Sequence, residues 1–544
     1  MSANEAEETR DVAAQGGVVG GMTVLSRISG LARDVALSHI LGAGVAADVF
    51  FLAFRIPNFF RRLFAEGAFS QAFVPVLAEY RERRDGALSR GARGGNPSQG
   101  RAAAGAEAAL RTFVAAMGGN LGAALLVTVV VGVAGAWGLV ALFMPGYFDD
   151  PAEFALAVDL TRIMFPYIGF ISLVAFAGAL LNSAHRYAVP AFTPVLLNVA
   201  LMAAALVAAS QASPSPEGAA YALAWGVLAA GVAQMLFQGP SLAFAGLLVR
   251  PKPNWRHEGA RKVGALLVPA VVAASAGQIN VLVSTVLAST LEPGSVSWLF
   301  YADRLMELPI GVVAVALGTV LITNLSRLHR RGLDEEFSAM LDWGLRLGIL
   351  LGVPAAAALV VLGFPLVATI FQHGEFSARD ADRTTIALVA YAIGLVPLVL
   401  VKIAQPGYFA HQDTRTPLKY TVASIVVNIG VSLATFRWLG FLGLALANSA
   451  AAFVNAGLLL RGLFLLGRCR WTSRLGRTVF ATSAATVAMV AGLLFALPGR
   501  EEWLAMGLAL RIGWLGALVA GGFVVFVLLV LTSGIRLRDL RHRA

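Results

Sequence analysis

The residues best suited to chemistry here are charged side chains set inside long apolar stretches. The stretch 17–41 carries Arg27, Arg33 and Asp34, and 45–79 carries Asp48, Arg55, Arg61, Arg62 and Glu66. Asp303, Arg304 and Glu307 lie in the stretch 294–326, and Lys402 lies in LVLVKIAQPGYFA. An ionisable group at mid-bilayer costs roughly 2.5–3.5 kcal/mol on insertion scales, so each needs water or a partner. Arg27, Arg33, Arg61 or Arg62, Arg304 and Lys402 make an excess of cations. A guanidinium is planar, keeps its proton and meets phosphate oxygens two at a time. The set therefore suits a di-anionic or pyrophosphate head group, with Asp34, Asp48, Asp303 and Glu307 holding the arginines in place. The plainer readings are interhelical clamps for Arg33–Asp34, Asp303 and Glu307, snorkelling for Arg62 and Glu66, and an ion or proton relay for Lys402.

Helical elements must position these groups. At about 100° per residue, Gly20, Thr23, Arg27, Gly30 and Asp34 fall in one arc, flanked by Ser26 and Arg33. Val24, Leu25, Ile28, Ala32 and Val35 lie opposite, so the first stretch has a small, polar face and an apolar one. Pro57 is expected to kink the second stretch, and Pro406-Gly407 to break the tenth.

The whole chain fits this picture. It has 544 residues, 58% of them hydrophobic and 13% charged, with a mean hydropathy of +0.74. Soluble globular chains carry about 25% charged residues. The composition excludes a soluble enzyme and a disordered protein, and apolar runs of about 20 residues exclude the alternation of a membrane β-barrel. The fold class expected is an all-α polytopic membrane protein with about fourteen spans. They fall near 17–41, 45–79, 111–144, 151–182, 190–211, 218–249, 260–289, 294–326, 337–372, 383–410, 417–436, 440–466, 476–497 and 505–533.

Basic residues orient these spans. Loops 80–112, 250–262, 327–336 and 461–477 and the tail are rich in Lys and Arg, whereas 145–153, 211–218 and 289–295 have none. Only Arg379, Arg383, Arg437 and Arg500 break the pattern. The positive-inside rule then places both termini in the cytoplasm. The net charge of +11 reads as basic loops facing anionic lipid rather than nucleic acid. The start, MSANEAEETRDVAAQ, is acidic and polar, so no cleavable signal peptide is expected. Cys469 is the single cysteine, the seven histidines form no ligand cluster, and no GxxxxGK[ST] loop occurs. No metal, nucleotide or other cofactor is expected, and energy would come from a coupling ion, the membrane potential or consumption of the product.

A shift of 249 residues sets Val49–Arg55 (VFFLAFR) against Trp298–Arg304 (WLFYADR), and Ser26 against Ser275. Six spans separate the copies, so the repeat is parallel, as in duplicated transporters with a substrate site between halves. The expected domains are a polar extension 1–16, an N-lobe 17–249 with a flexible linker at 85–106, a C-lobe 260–466, an added pair of spans at 476–533, and a basic tail 534–544.

The stretch SRISGLARDVALSHILGAGVAADVFFLAFRIPNFFRRLFAEGAFSQAFVPVLAEY (26–80) closely resembles the signature of the MurJ (MviN) family of bacterial lipid II flippases. The resemblance continues through FPYIGFISL, GSVSWLFYADRLMELPIGVVAVALGT, LDWGLRL and KIAQPGYFAHQDTRTPLK. It implies two six-helix lobes in a V, with two further helices forming a groove for a lipid tail. It implies translocation of lipid II, the undecaprenyl-pyrophosphate-linked peptidoglycan precursor, across the bacterial cytoplasmic membrane by alternating access. Lipid II, membrane lipids and the peptidoglycan synthesis machinery are the implied partners. The substrate-binding arginines would be Arg27, Arg33, Arg61 (favoured over Arg62 by the resemblance) and Arg304. Asp34, Asp48, Asp303, Glu307 and Lys402 would be their charged companions. The rivals are a flippase for another polyprenyl-linked oligosaccharide, a cation-coupled exporter, which would want an acidic lumen, and a membrane scaffold.

Overall fold

The computed structural model describes residues 3–61, 69–94, 97–211, 213 and 215–534. Helices stand at every expected span. The first six spans are built from α1 (Ala3–Leu41), α2 (Val45–Arg61) with α3 (Phe69–Gly94), α4 (Pro97–Ala134) with α5 (Ala136–Phe143), α6 (Pro151–Met164) with α7 (Tyr167–Ser183), α8 (Ala188–Ala209) and α9 (Pro216–Phe244). The next six are α10 (Glu258–Ser289), α11 (Ser295–Arg330), α12 (Asp334–Val361) with α13 (Gly363–Phe371), α14 (Ala378–Ile393) with α15 (Leu395–Phe409), α16 (Arg415–Leu439) and α17 (Phe441–Leu465). Then come α18 (Ser473–Ala496), the short α19 (Arg500–Ala505) and α20 (Leu508–Thr532). Among the described residues there is no strand, and ten helices are long and apolar enough to cross a membrane. The protein is a multi-pass all-α membrane protein.

The helix starts follow ordinary capping chemistry. Asp150 accepts from the N–H groups of Ala152 and Glu153, and Ser215 accepts from Gly218, ahead of Pro151 and Pro216. Ser377 and Asp380 form a reciprocal capping box at α14.

Among the described residues four spans are interrupted, and the interruptions repeat. The third and ninth break at Gly135 and Leu362, the fourth and tenth at Phe165–Pro166 and Gly394. From Pro166 to Gly394 is 228 residues, against the shift of 249 that aligns the second and eighth spans. The deficit of 21 matches an insertion between the second and third spans. The expected flexible linker at 85–106 lies there, and its described residues are helical: α3 runs to Gly94 and α4 begins at Pro97. Its Ala and Arg residues are strong helix formers, and Arg84 pairs with Asp85 (2.8 Å) and Glu107 (3.8 Å).

The break expected at Pro406-Gly407 also lies elsewhere, since α15 runs unbroken through both residues. The tenth span breaks at Gly394. Its N–H turns to Tyr391 O (2.9 Å), and Ser449 Oγ donates to the vacated Ala390 carbonyl (2.6 Å).

The chain divides into two compact units, 1–41 with 45–290, and 42–44 with 291–544. The packing boundary therefore falls after the seventh span, where the repeat put that span in the 260–466 lobe. Helix α10 lies on α3: Lys262 Nζ meets Glu79 at 2.5 Å, and Val263 joins a core with Phe73, Phe113 and Phe176. In the second unit, α11, α12, α15 and α17 share a core around Leu321, Leu345, Ile403 and Leu459. Helices α18 and α20 close on α12 and α13 through Met489, Leu493, Trp503 and Phe526. Arg511, buried at the start of α20, donates to Trp503 O (2.9 Å), Met506 O (3.0 Å), Leu504 O (2.7 Å) and Gln372 Oε1 (3.0 Å). It satisfies the carbonyls that the end of α19 leaves open.

Candidate functional site

In the first unit the charged groups of α1 divide into a held pair and an exposed cation. Arg33 and Asp34 are buried, at 8% and 2% exposed. Arg33 Nε and Nη2 both donate to Asp34 Oδ1, at 2.9 and 2.6 Å. Arg33 Nη1 donates to Asn198 Oδ1 of α8 at 3.0 Å. Asn198 in turn donates from Nδ2 to Ser26 O (3.1 Å) and Ser29 Oγ (2.9 Å). One amide thus ties α8 to two turns of α1 and holds the Arg33 fork. α8 passes close to α1 here: a Cβ on Gly30 would be in ordinary contact with Asn198 Nδ2, at 3.7 Å. Asn198 escaped sequence reasoning, and its signal was a lone amide in the apolar run PVLLNVALMAA.

Arg27 lies two turns earlier on α1, and its side chain is exposed. Among the described residues it makes no hydrogen bond or ion pair. Along α1 the structure thus sets an exposed guanidinium about two turns from a buried, paired one. Asp48 is 1% exposed on α2 and close enough to Tyr147 to help burial raise that phenol's pKa. Pro57 lies inside α2, which continues to Arg61. The side chain of Arg61, and Arg62 and Glu66 altogether, lie outside the described residues.

In the second unit α11 presents Asp303, Arg304 and Glu307. Arg304 Nη1 donates to Glu307 Oε2 at 2.9 Å, and its guanidinium stands 5.0 Å from the centre of the Phe300 ring. Arg304 remains about a third exposed and Glu307 about half. The i,i+3 pairing and the ring fix the guanidinium at the helix surface. Asp303 is exposed on the same helix, and Lys402 is exposed on α15. Among the described residues Lys402 makes no hydrogen bond or ion pair. One further ion pair, Asp342 with Arg346, was not singled out in the sequence. Asp342 accepts from Thr472 Oγ1 (2.6 Å) and pairs with Arg346 (2.8 Å). Burial pushes the thiol of nearby Cys469 up to about 11, which favours the protonated form at neutral pH.

Among the described residues no His, Cys, Asp or Glu cluster could hold a metal ion. The structure thus brings together Arg33 with Asp34, and Arg304 with Glu307, each within its own unit. It leaves Arg27 and Lys402 as exposed cations.

Comparison with known proteins agrees with the resemblance. The profile of the family described as "Lipid II flippase MurJ" matches residues 37–513. A "Probable lipid II flippase MurJ" of Vibrio cholerae is 41% identical over 532 residues, 96% of each chain. A "Lipid II flippase MurJ" of Burkholderia cenocepacia is 43% identical over 449 residues, 82% of each. Among solved structures, one titled "Lipid II flippase MurJ, inward closed conformation" superposes with a TM-score of 0.75 at 24% identity, covering 96% of this chain and 99% of that one. An inward-facing multidrug transporter of the MATE family superposes at 0.57 with 16% identity, over 85% and 98%. The two structures share the fold, and the sequence match runs almost end to end: the chain belongs to the lipid II flippase MurJ family.

Proposed function

We propose that this chain translocates lipid II across the bacterial cytoplasmic membrane by alternating access, with exposed arginines receiving the pyrophosphate. Family membership carries the substrate and makes the protein a transporter rather than an enzyme. The observation that carries the binding step is the contrast on α1: Arg33 is spent on Asp34 and Asn198, whereas Arg27 is exposed and makes no such bond. Arg27 and Arg304 then make the direct phosphate contacts, with Arg61 and Lys402 adding positive charge. Arg33, Asp34, Asp48, Asp303 and Glu307 set the shape and charge of the site. Sugar and peptide travel in a hydrated lumen, while the polyprenyl tail stays in lipid beside α18 and α20.

Neutralising the cations with a di-anion lowers the repulsion between them. A ligand drives a conformational step only through differential affinity for the two states. The membrane potential acts on net charge moved, at about 2.3 kcal/mol per charge per 100 mV. Both termini face the cytoplasm by the distribution of Lys and Arg, and enzymes that polymerise the precursor outside draw the cycle forward.

The test is growth complementation in cells depleted of their resident flippase. Arg27→Ala and Arg304→Ala should each fail or grow poorly at wild-type expression. Full growth of the well-expressed double variant would overturn the phosphate-binding step.

A further inference from the structure

Of the seven histidines, two that lie far apart in sequence meet in the second unit. Each ends a helix by the same device. At the end of α11 the N–H groups of Gly332 and Leu333 turn back to His329 O (3.0 Å) and Leu328 O (3.2 Å), with Gly332 at a φ of 68°. At the end of α15 those of Gln412 and Asp413 turn back to Phe409 O (2.9 Å) and Tyr408 O (3.2 Å), with Gln412 at a φ of 59°. Both are the left-handed closure common at helix C-termini. The rings of His329 and His411 stand 3.9 Å apart between centroids, tilted by 36°. Phe337 of α12 meets His411 edge-on at 4.9 Å. This is the basic end of α11, which also carries Arg327 and Arg330.

The stack suits rings that are not both charged. A carbonyl only accepts, so His411 donates from Nδ1 to Gly407 O at 3.2 Å, and Nε2 is the nitrogen left to gain a proton. Arg468, in the turn after α17, lies over the Tyr408 ring at 5.9 Å, and its Nη1 is buried with no hydrogen-bond partner among the described residues. Asp334 at the start of α12 is exposed, and Asp413 is engaged by the Thr416 N–H at 3.0 Å. Helix ends of this kind favour positive charge. Burial, then Arg468 and His329, nevertheless outweigh the Gly407 carbonyl and Asp334 and hold His411 below its ordinary value of 6.5. The sign follows: the stacked ring binds fewer protons than a separated one once pH falls below 6.5, so the contact is whole above that value and weakens below it.

We propose that His329 and His411 form a pH-sensitive latch: stacked at neutral pH they join the ends of α11 and α15, and on acidification the repulsion of two imidazoliums parts them. The residue type fits the task, since histidine is the side chain whose ordinary titration falls between about pH 5 and 8. A phenylalanine in either place would keep the ring contact at every pH. The latch ties together the two helices that carry Arg304 and Lys402. It is independent of the lipid II reading, and only its placement in the cytoplasm rests on the orientation proposed above.

The test is hydrogen exchange of the full chain in detergent at about pH 7.5 and about pH 5.5, either side of the imidazole range. Rates are corrected for the intrinsic effect of pH and read in peptides covering 324–333 and 406–416. Protection there should fall roughly two- to tenfold at the lower pH, the scale of one aromatic pair, while the rest of the second unit holds. His411→Phe, which keeps a ring that takes no proton, should abolish the fall. His329→Phe should lessen it, since Arg468 still faces His411. Unchanged protection in the wild type, which needs no variant to fold, would overturn the proposal. A fall spread evenly over the unit, or one of equal size in His411→Phe, would do the same.

Discussion

At the scale of single residues, what decides each charge's role is the partner it meets across helices. Arg27 and Arg33 look alike in sequence, six residues apart, the first on the polar arc and the second on its flank. Their environments differ because α8 brings Asn198 to Arg33 and, among the described residues, nothing comparable to Arg27. Replacing Asn198 by Ala leaves Arg33 Nη1 buried without its acceptor and frees Ser29 from α8. The expected cost is about 1–3 kcal/mol, that of a buried polar group left unmade. It is read as a lower unfolding temperature in detergent, with a smaller loss for Asn198→Asp, which keeps an acceptor for Arg33. An unchanged unfolding temperature in Asn198→Ala would show the network to be incidental. The charges and their scarcity were legible in the sequence. The pairing was read only for the neighbours Arg33 and Asp34, whereas Glu307 was assigned to the arginines as a group and pairs with Arg304 one turn away on its own helix. Asn198 was not legible, because its role depends on how α8 is rotated against α1, and a lone amide has no spacing to betray it.

At the scale of elements, span positions were legible because apolar length is fixed by the bilayer, but the places where spans break were not. Pro406 deprives the Lys402 carbonyl of its usual donor, yet α15 stays helical, and α11 passes that carbonyl at a glycine. A Cβ on Gly318 would stand 3.5 Å from Lys402 O. Gly394 breaks the same span without a proline, since Ser449 of α17 takes over the Ala390 carbonyl. A tertiary hydroxyl thus outweighs the local proline signal. A Cβ on Gly394 would lie 2.6 Å from Ser449 Oγ and 2.8 Å from the Ser449 backbone. Gly394→Ala should therefore destabilise the second unit by about 1–3 kcal/mol, as overpacking does. In the double variant Gly394→Ala with Ser449→Ala the clash with the backbone of residue 449 persists, so only partial relief is expected. Thermal unfolding of the single and double variants measures both, and a neutral Gly394→Ala would mean that the helices part easily at this crossing.

At the scale of the whole molecule, the internal repeat explains one feature that composition misread. The 249-residue shift maps the end of α11, Arg330, onto Arg81, and the 228-residue shift maps the start of α12, Asp334, onto Ala106. Residues 82–105 are thus an insertion in the first half, where the second half makes a tight turn through Gly332 at a positive φ of 68°. A Gly-, Ser- and Arg-rich segment reads as a linker, but its alanines and its Arg84–Glu107 pair let it extend α3 and α4 into a helical hairpin. The ion pairs of Arg84 with Asp85 and Glu107 are internal to that hairpin, whereas Glu79 and Arg81 below it reach α10 and the end of α7. Loop length itself costs little, about 0.6 kcal/mol per doubling. Replacing 82–105 by a short turn copied from Arg331-Gly332-Leu333 should leave the six-span unit intact. Such a variant should restore growth to flippase-depleted cells at near wild-type level. Loss of growth with normal amounts of protein in the membrane would show that the hairpin does more than join two spans, and would point to a cytoplasmic partner on its surface.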